Sequence, residues 1–234
     1  MENNWSGKRG KALASMLAVL AGNPDSGIID YGDTTIMHKN HDAVVLEYLD
    51  FYKKSNKGKA DDLKYLVFDS KFTNYENLGK LDSKQVKFIT IRRRGKKIIQ
   101  EIDQIPKENW RIVRVGCAVE KTISEKIEFF HFNRISSSMV IKVDFDLTMS
   151  ILAYNLYRLL ALETQKYASL TAETLFVKMV SNSGRVEIKD RRIELTLKKK
   201  RSLPVMLEMM NQYKSLTYPW LFDKSIIFKG ATTL

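Results

Sequence analysis

Apolar residues recur at helical spacing in several parts of the chain. Between Asn40 and Lys54 they return every three or four positions, which predicts an amphipathic helix. The same spacing, with proline and N-cap residues at some of the starts, predicts further helices. These lie at Ala118–Phe132, Leu147–Leu162, Leu170–Ser181 and Pro204–Tyr213, with a shorter one at Tyr75–Leu81.

Shorter apolar or alternating runs predict strands between the helices. Tyr65–Phe68 is a continuous apolar run, typical of a strand buried on both faces. Val86–Ile91 alternates like a strand, so strand, helix and strand follow one another as in the βαβ unit of an α/β sheet. Other strands are predicted at Gly27–Tyr31, Ile98–Ile102 and Met139–Val143, and a hairpin over Arg185–Leu197.

The N-terminal segment allows two interpretations. Basic residues precede the apolar run Ala12–Ala21, as in a signal peptide. The alternative is an amphipathic helix that begins near Gly10 and ends at Gly22, with Pro24 just beyond it. The high positive charge and the lack of disulfide cysteines favour the helix. No apolar run reaches the roughly eighteen residues that a membrane span needs. We therefore divide the chain into an N-terminal segment 1–26, an α/β region 27–165 and a C-terminal region of helices and a hairpin, 166–234.

Charge and cysteine content narrow the classes of function. The chain has 39 Lys and Arg against 27 Asp and Glu, a net charge of +12, which favours a polyanionic partner such as nucleic acid over a protein that is basic only for solubility. The single cysteine, Cys117, excludes an intramolecular disulfide and a four-cysteine zinc site. With three histidines, a catalytic metal would rest on carboxylates, which suits Mg²⁺ or Mn²⁺. This usage is typical of the cytoplasm.

Asp69 is the clearest candidate for chemistry. It directly follows the predicted strand Tyr65–Phe68, and ligands of open α/β sheets bind at the carboxyl ends of strands. A carboxylate held there can coordinate a metal that also binds phosphate. The alternative is a turn aspartate that caps the next helix.

Three strings extend this evidence. Residues 65–95 read YLVFDSKFTNYENLGKLDSKQVKFITIRRRG, residues 125–160 read EKIEFFHFNRISSSMVIKVDFDLTMSILAYNLYRLL, and Gly32–Thr35 reads GDTT. In this order they resemble segments of the DDE insertion-sequence transposases of prokaryotes. The resemblance covers the chain from about Lys8 to Pro204.

The resemblance implies a ribonuclease H-like fold in region 27–165, a mixed sheet flanked by helices. Such enzymes cleave DNA and transfer strands with two divalent metal ions, Mg²⁺ or Mn²⁺, held by two aspartates and a glutamate. The second aspartate corresponds to Asp69 and the glutamate to Glu120. Glu125 and Glu128 are rivals for that glutamate, and their alternative role is a solvated helix face.

The chain departs from the family pattern in two places. The first aspartate has no counterpart, because only Asp30 and Asp33 lie upstream in a strand-like context, and the predicted helix Asn40–Lys54 separates them from Asp69. The joint near Arg114–Gly116 indicates an internal deletion, and the N-terminal part is shorter than in the family. We therefore expect an incomplete catalytic region whose cleavage activity is impaired or lost.

The expected partner is DNA, specifically transposon ends, with a homodimer possible and with no membrane or small-molecule cofactor. The basic run RRRGKK is the candidate phosphate-binding segment: Arg92, Arg93, Arg94, Lys96 and Lys97. Lys198–Arg201 can hold phosphates too, although such a run is more often a solvated face.

Two further groups have competing interpretations. Asp144 and Asp146 would face one side of a strand and chelate a metal, or Asp146 would cap the following helix while Asp144 is structural. The three phenylalanines between Phe129 and Phe132 are expected in a core rather than stacked on bases.

Two functions of other classes stay open. The first is a basic DNA-binding remnant without chemistry, able to pair with intact copies. The second is an unrelated metal-dependent nuclease in which Asp69 and Lys71 form the metal-binding and water-activating pair. That second function would leave the matching strings unexplained.

Overall fold

The computed structural model describes residues 2–6, 10–55, 63, 65–91, 95–110, 124–132 and 137–231. The fold is mixed α/β with several small sheets. The chain forms two compact units. The first contains residues 1–22, 29–118 and 135–148, and the second contains 23–28, 119–134 and 149–234.

The N-terminal part of the first unit consists of two antiparallel hairpins. Strands β1 (Glu2–Ser6) and β2 (Lys11–Ser15) pair with each other, as do β3 (Val19–Gly22) and β4 (Ile29–Asp33). The predicted helix from Gly10 to Gly22 is therefore wrong. Gly10, directly before β2, has φ +59°, a left-handed conformation that suits glycine.

A parallel βαβ motif follows, also within the first compact unit. Strand β5 (Leu66–Phe68) pairs with β6 (Phe88–Thr90) in parallel, and α2 (Tyr75–Ser83) connects them. Helix α1 (Val44–Ser55) follows the 3₁₀ helix His38–Ala43 and packs on the βαβ motif. The shared core is formed by Val45, Leu49, Leu66 and Leu81. Strand β5 is confirmed, but it is not buried on both faces, because the Val67 side chain is 64% exposed.

Two predicted strands are helical. Residues 98–102 belong to α3 (Lys96–Asp103), and residues 140–143 form the first turn of α4 (Val140–Glu163). In α4 the buried residues are Val143, Leu147, Tyr154 and Ala161. They recur at multiples of the helical repeat, so all four lie on one face of the helix. Asp146 consequently lies inside a helix rather than at its start, and the expectation that it caps the helix is wrong.

In the second unit, short helices surround the C-terminal part of α4. Helix α5 (Ala172–Leu175) continues as a π-helix, Phe176–Val180, and α6 (Leu203–Asn211) follows later. Their core contains Ala161, Leu175, Met179, Met206 and Met209. The predicted helices over 170–181 and 204–213 are thus confirmed in position. Within the predicted helix 118–132, residues 124–128 are helical and residues 118–123 lie outside the described part.

The largest described sheet has four strands in the order β7-β8-β10-β9. The predicted hairpin is confirmed as the antiparallel pair β7 (Gly184–Ile188) and β8 (Arg192–Leu197). The chain then passes through α6 to β9 (Thr217–Tyr218) and to β10 (Lys224–Gly230), which is parallel to β8. Among the described residues, no helix is long and apolar enough to cross a membrane.

Candidate functional site

Asp69 stands where the sequence predicts it, directly after β5. Its backbone is extended, and its Oδ1 accepts a 2.9 Å hydrogen bond from the Lys71 amide, which caps the 3₁₀ helix Ser70–Phe72. The side chain is exposed. At the end of the neighbouring strand, the Thr90 hydroxyl donates to the Phe68 carbonyl at 2.8 Å and joins the two strand ends. Asp69 therefore has a structural role as the cap of this 3₁₀ helix. Its capping bond uses Oδ1 and does not use Oδ2.

An amide network fixes the chain that follows Asp69. Asn74 caps α2 by accepting from the Asn77 amide at 2.8 Å, and its Nδ2 donates to the Asp42 carboxylate at 2.6 Å. The buried Asn77 side chain donates to the Asp42 carbonyl at 2.8 Å. These bonds tie α2 to the end of the 3₁₀ helix His38–Ala43. Sequence patterns gave no signal for this network, since Asp42 lies more than thirty positions from its partners.

The upstream aspartates have other roles. Asp33 accepts from the Tyr31 hydroxyl at 3.0 Å and from the amide and hydroxyl of Thr35 at 2.6 and 2.8 Å, so it holds the turn after β4. Burial raises the pKa of Asp30 above its ordinary value. The structure brings neither residue into a metal-binding group with other described carboxylates.

Asp144 and Asp146 do not form a chelating pair. Both lie in α4, where residues two positions apart point in different directions. The Asp144 carboxylate accepts a 2.7 Å hydrogen bond from the buried Thr34 hydroxyl. The interpretation of Asp144 as structural is therefore correct, and the strand geometry that would have allowed a shared metal is absent from this segment.

Among the described residues, no group of three His, Cys, Asp or Glu side chains is placed to hold a metal ion. Glu120 lies outside the described residues, as does the segment 114–116 at the predicted deletion. Of its rivals, Glu125 is half-buried and accepts from the Ala172 amide at the start of α5, so a purely solvated role for Glu125 is wrong. Glu128 is exposed and accepts from the Ser124 hydroxyl at 2.8 Å.

The phenylalanines near residue 130 form an aromatic cluster in the second unit, as expected. Phe129 and Phe130 each contact Tyr157 edge to face, with ring centroids 5.8 Å apart, and Phe130 also contacts Tyr154. The ammonium group of Lys126 lies 5.2 Å from the centroid of the Tyr154 ring, and burial lowers the pKa of this lysine. These rings are engaged in packing with one another.

Of the predicted phosphate-binding residues, Lys96 and Lys97 are described and exposed, in the first turn of α3. Gly95 precedes them and offers no side chain to cap the helix. The amide groups of a helix start attract anions, and two lysines there strengthen the attraction. Arg92, Arg93 and Arg94 lie outside the described residues.

The run Lys198–Arg201 is more than a solvated face, because Lys200 caps a helix end. Its ammonium group donates to the Val177 carbonyl at 3.2 Å and also to the Ser181 carbonyl.

Sequence patterns missed a second feature of this region, a carboxylate inside the C-terminal sheet that pairs with several cations. Glu194 is 4% exposed and pairs with Lys189, Arg192 and Lys229. The only sequence signal was the high density of Lys and Arg in the predicted hairpin.

No protein-family model, no curated protein and no solved structure matches this chain.

Proposed function

We propose that this chain descends from a DDE-type insertion-sequence transposase, that it binds DNA, and that its metal-dependent cleavage and strand transfer are impaired or lost. The observation that carries the proposal is the position of Asp69 at the carboxyl end of β5, in a parallel βαβ unit. This is where α/β sheets place ligand-binding carboxylates, and the resemblance assigns the second catalytic aspartate to this residue. In the proposal, β5, α2 and β6 belong to an incomplete ribonuclease H-like sheet.

DNA binding is supported by charge. The chain carries a net charge of +12, and Lys96 and Lys97 stand exposed at the start of α3, where a phosphate is favoured. These contacts address the phosphate backbone and carry no sequence information by themselves. The expected ligand is duplex DNA, including the transposon ends that the resemblance implies.

Impaired cleavage is supported by the carboxylates. Two Mg²⁺ or Mn²⁺ ions require several carboxylate ligands around one point. Asp69 is the one assigned ligand in the described part of the chain, and no three-residue metal-binding group is found there. The described residues do not fit a two-metal centre, so we derive no catalytic step from them.

The test combines a binding and a cleavage assay on the full chain. Duplex DNA carrying the ends of its own element should bind, with an affinity that falls as salt increases. Nicking of a supercoiled plasmid with these ends should not exceed the metal-free level when Mg²⁺ or Mn²⁺ is added. Absence of salt-dependent duplex binding would contradict the DNA-binding part of the proposal.

Variants at Asp69 decide the catalytic part. Asp69→Asn keeps an acceptor for the Lys71 amide and removes the charge, and Asp82→Asn makes the same change at another exposed aspartate of the first unit. Strong metal-dependent nicking that is lost only in Asp69→Asn would show an active enzyme and overturn the impairment. If Lys71→Ala also abolished that nicking and Glu120→Ala did not, the unrelated nuclease would be the better explanation.

A further inference from the structure

The C-terminal sheet concentrates the positive charge of the chain. Residues 184–201 and 215–231, which contain its four strands, carry ten Lys and Arg against four Asp and Glu. This surplus of six equals half of the net charge of +12. Repulsion among so many cations opposes their clustering, and both internal carboxylates and a bound polyanion would relieve it.

Two carboxylates hold part of this charge in fixed positions. Glu194 on β8 lies 2.9 Å from the Lys189 ammonium, 2.7 Å from Arg192 Nε and 2.7 Å from the Lys229 ammonium. Glu187 is opposite Glu194 in the β7–β8 ladder and pairs with Arg185 at 3.1 Å. Four cations thus surround two carboxylates. The four basic side chains are between 44% and 80% exposed, so they are ordered and still reachable from solvent.

The turn between β7 and β8 lies beside the connection between β9 and β10. The Lys224 ammonium donates to the Lys189 carbonyl at 3.0 Å and also to the Asp190 carbonyl. The Ser225 amide donates to the Arg191 carbonyl at 3.1 Å. These bonds place the connection Pro219–Asp223 next to the basic turn, at one end of the sheet.

That connection presents two large aromatic side chains to solvent. Trp220 is 73% exposed and Phe222 is 88% exposed. Phe222 and the following Asp223 have φ values of 56° and 55°, a left-handed conformation that bulky residues rarely adopt. The turn therefore displays a phenylalanine at a position where asparagine or glycine would be the easier choice. Burial in the core does not explain either ring.

Exposed aromatic rings beside ordered cations match the chemistry of unpaired nucleic acid. Bases that are not paired expose their faces and stack on aromatic side chains, while Lys and Arg contact the phosphates between them. Bases inside a duplex are already stacked and would leave Trp220 and Phe222 without a role. A linear polyanion also fits the cations, which lie at both ends of β8, in residues 189–192 and in residues 198–201.

We propose that this end of the C-terminal sheet binds single-stranded nucleic acid, with bases stacked on Trp220 and Phe222 and phosphates held by Arg191 and Arg192. The site lies in the second unit and takes unpaired strands. It therefore goes beyond the proposed function, whose duplex contacts are Lys96 and Lys97 in the first unit.

The experiment measures binding of the full chain to dye-labelled oligothymidylate of about sixteen nucleotides, and to a duplex of the same length, by fluorescence anisotropy. Trp220→Ala and Phe222→Asn should each weaken single-strand binding roughly fivefold or more, because a stacked base contributes that much. Phe222→Asn keeps a residue that tolerates the left-handed turn. Trp220→Phe should retain most of the affinity, since a ring remains.

Matched controls separate stacking from a general surface effect. Trp5→Ala removes a tryptophan of nearly equal exposure, 71%, from the first unit and should leave single-strand binding unchanged. Arg191→Gln with Arg192→Gln should reduce the salt dependence of single-strand binding by roughly one phosphate contact per residue. Circular dichroism confirms that each variant is folded.

The proposal is overturned if Trp220→Ala and Phe222→Asn bind oligothymidylate as the unchanged protein does, or if Trp5→Ala loses as much. It is also overturned if the two aromatics are needed only for binding to vesicles that contain phosphatidylserine, since basic and aromatic residues together also suit an anionic membrane surface. Loss of duplex binding alone would contradict the proposed function and leave this inference intact. If the protein binds duplex DNA but its single-strand binding does not depend on the two aromatics, this inference is contradicted and the proposed function stands.

Discussion

The Thr34 hydroxyl donates a 2.7 Å hydrogen bond to Asp144, 110 positions further along the chain. Thr34 belongs to GDTT, and Asp144 belongs to the string at residues 125–160, two of the three segments on which the family resemblance rests. Thr34 is 5% exposed, so its hydroxyl needs this acceptor inside the fold. Two segments that are far apart in sequence thus depend on each other through one buried contact.

Breaking this contact should destabilise the first unit. Thr34→Val and Asp144→Ala should each lower the free energy of unfolding by about 1.5 kcal/mol, the usual contribution of a hydrogen bond to a charged group. The double variant should lose less than the sum of the two single losses, because both remove the same bond. Urea unfolding of the four proteins gives this coupling directly. Additive losses would mean that the two side chains act independently.

The ion cluster around Glu194 predicts a pH dependence. Hydrogen bonds from Lys229 and Lys189 lower the pKa of this carboxyl from 4.5 to about 2. Because the pKa is lower in the folded protein, the carboxylate stabilises the fold above pH 4.5, and that contribution is lost as pH falls towards 2. Urea midpoints measured across this range should fall more steeply for the unchanged protein than for Glu194→Gln. Glu208→Gln, at an exposed position of α6, should behave like the unchanged protein.

The contact between Gly27 and Arg158 predicts that an alanine at position 27 destabilises the protein more than an alanine at another left-handed glycine. Gly27 has φ +70°, and a Cβ there would lie 2.9 Å from Arg158 Nε. The same guanidinium donates to the Ser26 carbonyl at 3.0 and 3.2 Å and to the Ala168 carbonyl at 3.1 Å.

Gly27→Ala should therefore cost about 1–2 kcal/mol for the left-handed backbone and roughly 1 kcal/mol more for the displaced hydrogen bonds. Gly10→Ala is the matched control, because Gly10 has φ +59° and nothing lies within 4 Å of an added Cβ. Thermal unfolding compares the two variants. Equal losses would show that Arg158 moves aside without cost.

Lys96 and Lys97 predict the salt dependence of duplex binding. If each contacts a phosphate, changing both to alanine should reduce the slope of log affinity against log salt by about two. Lys53→Ala with Lys54→Ala removes the same charge from the last turn of α1 and serves as the control. Equal changes of slope in both double variants would indicate attraction to the net charge rather than contacts at α3.

Sequence patterns predicted those elements whose signal is local. The hairpin β7–β8 was predicted because its alternation and its charged turn lie within fourteen residues of each other. Helix α2 is predicted from its apolar spacing, and the structure adds the Asn74 cap at its start. Asp69 was placed correctly for the same reason, since a strand end is visible in the residues directly before it.

The errors came from short apolar runs, in which helix and strand cannot be told apart by period alone. Residues 98–102 and 139–143 are rich in isoleucine and valine, yet Gly95 starts a helix before the first, and Val143 shares a helix face with Leu147 in the second. The segment Lys11–Gly22 shows the opposite error, because it is predicted as a helix and contains strands β2 and β3. There Lys11–Ser15 pairs with Glu2–Ser6, a strand that carries no strong strand signal of its own.

Roles that depend on distant partners could not be predicted. Asp144 is structural because of Thr34, and Glu125 caps α5 because of Ala172, 47 positions away. The cluster around Glu194 needs Lys229 from a strand that enters the sheet 35 positions later. The charges were visible in the sequence, but the parallel register that brings β10 beside β8 was not.

The order of strands in the C-terminal sheet has a consequence for synthesis. Strand β10 is the last of the four strands of this sheet to be made, yet it lies between β8 and β9 in the middle of the sheet. During translation the hairpin β7–β8 can form first, but β8 keeps an open edge until residue 230 has left the ribosome. A chain that stopped before Lys224 would display that edge permanently, with Glu194 deprived of Lys229, and would be prone to pair with other chains. The edge of β8 is therefore covered only once the chain has been made as far as Gly230.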